Sequence, residues 1–160
     1  MPEQPGHGGD HADRGGTGGA AAPADLAARA GEYGQRLGWP TRLAGTELHL
    51  LLGRGLVGVA LANPGVAEEI LGVLTRRGLD GPVVVLPGSP ARWVFLAGAD
   101  PAVDHTAALV PPGVDLVRDQ VALPPSRTPH GRVAWARPPS PHRALPSALV
   151  VLAAARLTIG

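Results

Sequence analysis

The residues best suited to chemistry crowd the last third of the chain: Arg118, Arg127, His130, Arg132, Arg137 and His142, with Ser126 and Trp135 between them. Guanidinium forks hold phosphate oxygens in pairs, a hydroxyl adds a hydrogen bond, and an indole face stacks on a base. The set therefore suits a nucleotide or a stretch of nucleic acid. A solvated loop surface with Trp135 half in the core accounts for the same residues, and spacing alone favours that reading. Asp104-His105 places an acid beside an imidazole, the material of general acid-base catalysis. Side chains one residue apart diverge, which favours an exposed loop pair. His7, Asp10, His11 and Asp13 carry metal-ligand chemistry, but nothing in their Gly-rich run preorganises them, and they read as a polar tail.

Other chemistries are excluded by composition. Every basic residue is an arginine, so no lysine exists to fill a phosphate-cradling P-loop. None of Ser89, Ser126, Ser140 and Ser147 stands in a Gly-x-Ser-x-Gly elbow. Absence of cysteine removes disulfides, thiolate metal sites and a cysteine nucleophile. The 14 basic and 13 acidic residues leave a net charge of +1, short of the basic face that gripping nucleic acid by bulk electrostatics requires. No basic segment followed by an apolar run marks a signal peptide. The longest apolar stretch, 148–155, falls far short of the ~20 residues of a spanning helix. The expected setting is the cytoplasm, without a membrane partner.

The elements that must position these residues follow from pattern. Of 160 residues, 23 are Gly and 18 Pro, yet 44% are hydrophobic and only 3% aromatic. Residues 1–22 hold much of the glycine and almost no large apolar side chain, so they are expected to be a disordered tail. Residues 23–160 then form the folded domain, with a core of Leu, Val and Ala. Leu26, Ala30, Tyr33 and Leu37 recur at helical spacing from Asp25 until Gly38, and Trp39 is expected to pack on the core. Strands are expected at 47–52 and 56–61. Asn63 caps a following helix, Pro64 suits its first position, Val66, Ile70 and Leu74 recur every four residues, and Gly78 closes it. Residues 83–86 and 92–96 read as a hairpin around Pro87-Gly88-Ser89-Pro90. A loop with one helical turn fills 100–112. Short strands follow at 114–117, 121–123 and 133–136, and an apolar helix at 146–157. The fold class is α+β: a small mixed sheet with flanking helices.

The order of these elements resembles the N-terminal domain of bifunctional DNA primase/polymerases, in the archaeo-eukaryotic primase superfamily. Three stretches carry the resemblance: Tyr33-Gly34-Gln35-Arg36-Leu37-Gly38-Trp39-Pro40, the hairpin from Gly81-Pro82-Val83 to Arg92-Trp93-Val94-Phe95-Leu96, and the run from Val114-Asp115-Leu116-Val117-Arg118 through Pro124-Pro125-Ser126 to Gly131-Arg132-Val133-Ala134-Trp135. The resemblance implies metal-dependent nucleotidyl transfer in DNA replication, with carboxylates holding Mg²⁺ or Mn²⁺ and a hairpin histidine on phosphate. Where it places the acidic pair this chain reads Val59-Ala60-Leu61-Ala62-Asn63, and no histidine stands near Trp93. Asp115 alone remains as a catalytic and metal-binding candidate, with Arg118, Ser126, Arg127 and Arg132 as candidate nucleotide and phosphate contacts. The expectation is a degenerate primase/polymerase-like domain with its nucleotidyltransferase activity lost, retaining nucleotide or DNA binding. Mg²⁺ or Mn²⁺ enters only if activity survives. The alternative is a structural or protein-interaction module with no nucleotide ligand.

Overall fold

The computed structural model describes residues 22–104 and 107–160. The tail expected over 1–22 lies, apart from Ala22, outside the described residues, as do His7, Asp10, His11, Asp13 and His105. Helix α1 (Pro23–Leu37) starts on a proline whose missing N–H costs nothing there, and stops where Gly38 turns left-handed at φ 66°. Two short strands, β1 (Thr41–Ala44) and β2 (Glu47–Leu51), precede β3 (Leu56–Leu61). Helix α2 (Pro64–Arg76) opens on the Asn63 cap, whose side-chain oxygen accepts from the Val66 N–H at 3.2 Å. The hairpin β4 (Val83–Leu86) and β5 (Arg92–Gly98) follows, then the one-turn α3 (Pro101–Asp104) and a 3-10 turn. Strands β6 (Val114–Val117), β7 (Gln120–Leu123), β8 (Arg127–Thr128), β9 (Gly131–Arg132) and β10 (Ala134–Arg137) lead to the closing α4 (Ala148–Ile159).

Five strands form the central sheet in the order β10-β4-β5-β3-β6, every neighbour antiparallel. Because β5 lies between β3 and β4, the β3-α2-β4 unit is a split β-α-β. A second antiparallel sheet, β1-β2-β7, and the small β8-β9 ribbon complete an α+β fold. Strand alternation sends Val57, Val59, Leu61, Phe95 and Ala97 to one face, where Ile70 and Leu74 of α2 and Val151 and Leu152 of α4 cover them. Ala60, Val84, Val94 and Leu96 point to the other face, under Leu26 and Tyr33 of α1 and Leu48, Leu50 and Leu123 of the second sheet. A Cβ on Gly58 would come within 2.8 Å of Val94 Cγ1, so a glycine lets the strands stay level there.

Most elements match the sequence pattern within a few residues. The differences lie where pattern is weakest. β1 has three exposed positions of four, and β8 and β9 are two residues each, so none shows the apolar alternation that announces a strand. The final helix starts at Ala148, after a Ser147 cap, rather than at 146.

Tyr33, Trp39 and Trp135 cluster with ring centroids 5.8 to 6.3 Å apart, joining α1 to β10. Trp39 is core, as its position predicts, at 7% exposure. The Tyr33 hydroxyl donates to the Pro124 carbonyl at 2.8 Å. Burial pushes its pKa upward, against a smaller opposing pull from a hydrogen bond with Trp135. A raised acid pKa means that the unfolded chain loses the proton first as pH climbs. Stability is therefore full below about pH 10 and declines above it, until the folded hydroxyl also ionises. Tyr33 is the chain's single tyrosine. Urea midpoints from pH 7 to 11 should show this alkaline decline. Tyr33→Phe should flatten it and cost about 0.5–1.5 kcal/mol at pH 7.

Candidate functional site

At one end of the central sheet the chain leaves a groove of about 720 Å³. Its walls are the end of α1 with residues 38–40, the β2–β3 turn at 53–56, the approach to β4 at 80–82, and the segment 137–145 that leaves β10. Pro138, Pro139 and Pro141 remove the N–H groups that a ladder would need, so this last segment cannot extend the sheet. It is fastened instead by side chains and close approach. Pro146 C=O accepts from Gly98 N–H at 2.8 Å, and Pro146 packs so closely on Gly81 that a Cβ there would lie 2.5 Å from its Cδ.

Asp80 is the hub of the groove. Its side chain is 2% exposed, Arg143 Nη1 donates to both carboxylate oxygens at 3.1 Å, and Arg137 Nη2 pairs with Oδ2. A carboxylate this buried needs such partners, since an unpaired one would cost several kcal/mol, on the order of 3–5 when a partner is removed. Arg36 and Arg54 also line the groove, and among the described residues neither side chain forms a hydrogen bond or an ion pair. Arg54 stands at φ 48° between Gly53 at φ 102° and Gly55 at φ 94°, a left-handed turn that a non-glycine residue rarely adopts. Four guanidiniums against one carboxylate give the lining three uncompensated positive charges.

The residues singled out from sequence do not form one site. Ser126 is fully buried: its Oγ accepts from Leu48 N–H at 2.7 Å and donates to Leu48 C=O at 3.2 Å. Both functions of the hydroxyl are used, which removes Ser126 from any set of phosphate contacts. Arg118 pairs with Asp104, so the acid of the Asp104-His105 pair serves an ion pair on α3. Arg127 and Arg132 are brought together, as register partners across the β8-β9 ribbon, with Thr46 bonded to the Arg127 backbone on its other side. Asp115 lies on the sheet edge, its side chain 75% exposed and 3.4 Å from Arg92 Nη2. In the β3–β6 register Asp115 is the direct partner of Ala60. Among the described residues no group of three or more His, Asp or Glu side chains could hold a metal ion.

Asp80, Arg36, Arg54 and Arg143 were invisible to motif reading. Arg143 and Asp80 are 63 residues apart, and no local spacing announces such a pair. The usable signal was an aspartate directly before Gly81-Pro82 at the mouth of an apolar strand. No protein-family model matches the chain, and neither a curated protein nor a solved structure does.

If Ser126 is a structural clamp, Ser126→Ala leaves the Leu48 amide and carbonyl without their buried partner. The expected loss is about 1–3 kcal/mol in the urea midpoint, with ligand binding to the folded protein unchanged. A variant that binds more weakly at full stability would return Ser126 to the site.

Proposed function

We propose that this chain is a primase/polymerase-like domain that binds the phosphates of a nucleotide or DNA and has lost nucleotidyl transfer. Binding through the groove is carried by one observation: among the described residues the Arg36 and Arg54 guanidiniums have no partner, and they stand beside the Asp80-bound pair in a groove of small-ligand size. Both side chains are exposed at the groove wall, and a phosphate accepts their paired N–H groups and supplies the missing negative charge.

The register of the central sheet supports the family reading. Asp115 and Ala60 are 55 positions apart in sequence, yet they are neighbours on the same face, two residues from Ala62. These are the positions to which the resemblance assigns the metal-binding carboxylates. With alanine at two of them and the third acid facing Arg92, the corner holds one carboxylate and a competing cation. That set is poor for the paired ions that in-line phosphoryl transfer uses. Arg118, Arg127 and Arg132 then serve as secondary phosphate contacts at most, outside the groove.

Titration calorimetry with a deoxynucleoside triphosphate and with single-stranded DNA tests the reading. Arg36→Ala and Arg54→Ala should each weaken binding about tenfold, as the loss of one charge-assisted contact of ~1.5 kcal/mol requires, without changing the melting temperature. Asp115→Asn should leave affinity unchanged, and primer extension should be absent in both proteins. Indifference to nucleotide and DNA alike would instead support a structural or protein-interaction module.

A further inference from the structure

The groove's charge is divided between two pairs of arginines that come from four different segments. Arg36 sits in the last turn of α1 and Arg54 on the β2–β3 turn, whereas Arg137 ends β10 and Arg143 lies on the Pro-rich segment, both tied to Asp80. Each guanidinium carries five N–H donors, and Arg137 and Arg143 spend Nη2 and Nη1 respectively on the carboxylate. The tied pair thus keeps donors for a ligand while Asp80 cancels the repulsion between its two cations. A single phosphate, carrying at most two negative charges, falls short of the lining's excess of three positive charges; two or more linked phosphates match it.

The same lining leaves no place for a divalent ion. Asp80 is the sole carboxylate of the groove, no imidazole lines it, and both oxygens of Asp80 are already held by arginine. A cation arriving with the ligand would meet four guanidiniums and no free carboxylate among the described lining residues. Trp39, at 7% exposure, offers a base little more than its rim, so recognition falls on the phosphates.

We infer that the groove takes a metal-free polyphosphate chain, in which arginines perform the charge neutralisation that a divalent ion performs in phosphoryl-transfer sites. This rests on the proposed phosphate-binding function of the groove and goes beyond it by fixing the ligand's chemistry and its relation to metal. Asp80 is then a positioning residue: it touches the arginines, not the ligand. The polyphosphate could belong to a nucleoside triphosphate or to an inorganic chain, and the two share this chemistry.

Calorimetry on the full chain with orthophosphate, inorganic tripolyphosphate and dATP, each in EDTA and in excess Mg²⁺, tests the inference. Tripolyphosphate and dATP should bind in EDTA with affinities within about threefold of each other, orthophosphate at least tenfold more weakly, and Mg²⁺ should weaken both polyphosphates by removing ligand charge. A tripolyphosphate that fails to bind where dATP binds would overturn the inference by moving recognition to the nucleoside. Binding that appears or tightens only with Mg²⁺ would overturn it too, while leaving the groove as a nucleotide site. Silence from all three ligands in both buffers would overturn the inference, and silence from single-stranded DNA as well would overturn the proposed function with it. Arg54→Ala, on an exposed turn, should weaken tripolyphosphate at least tenfold, and an unchanged affinity would place the binding elsewhere. Asp80→Asn should weaken it as well and Asp80→Glu should restore part of the loss, a rescue that a purely structural carboxylate would show in melting temperature but not in affinity at matched stability.

Discussion

Burial of the central sheet on both faces is the constraint on which everything else in this molecule depends. Helices α2 and α4 cover one side and α1 with the second sheet covers the other, so β3 and β5 must be apolar at almost every position. A strand buried on two faces has no room for a charged side chain in its middle. Chemistry is therefore displaced to the strand ends. One end carries the arginine groove, and the opposite end carries Asp115, Arg92 and the β8-β9 ribbon. The two ends are separated by the length of β10, roughly 13 Å for four residues of strand.

Among the described residues Asp80 is the one buried acid, and it lies at the threshold of β4 rather than within it. Such a buried ion cluster contributes little net stability compared with a well-packed apolar substitute, because desolvation offsets most of the Coulomb attraction. Its contribution here is geometric. Beside the Pro146 contacts with Gly81 and Gly98, it ties the segment between β10 and α4 to the start of β4 and gives Arg137 and Arg143 a fixed direction.

The fold was legible in the sequence wherever burial imposed a period. Val66, Ile70 and Leu74 betrayed α2, the Asn63-Pro64 cap fixed its start, and the runs 56–61, 83–86 and 92–96 were strands because both faces needed apolar residues. β1 and the ribbon escaped because they bury almost nothing. The candidate site was legible only in part. An arginine-rich last third was visible, but which arginine meets which acid is set by tertiary closure: Arg118 goes to Asp104, Arg137 and Arg143 to Asp80, and Arg92 to Asp115. Ser126, bracketed by Pro125 and Arg127, looked like a loop hydroxyl. Only the closure of β2 against that turn turns it inward onto Leu48.

The groove's cations are all guanidiniums, in a chain without a single lysine. A guanidinium is the most basic of side chains and holds a permanent positive charge under conditions in which proteins remain folded. The positive charge of the groove is therefore set by its residue types alone. For the proposed phosphate ligand, the charge that changes near neutral pH is its own, chiefly through the second ionisation of a terminal phosphate near about pH 6. No lysine stands among the lining residues, so lysine-directed acylation leaves their charge untouched.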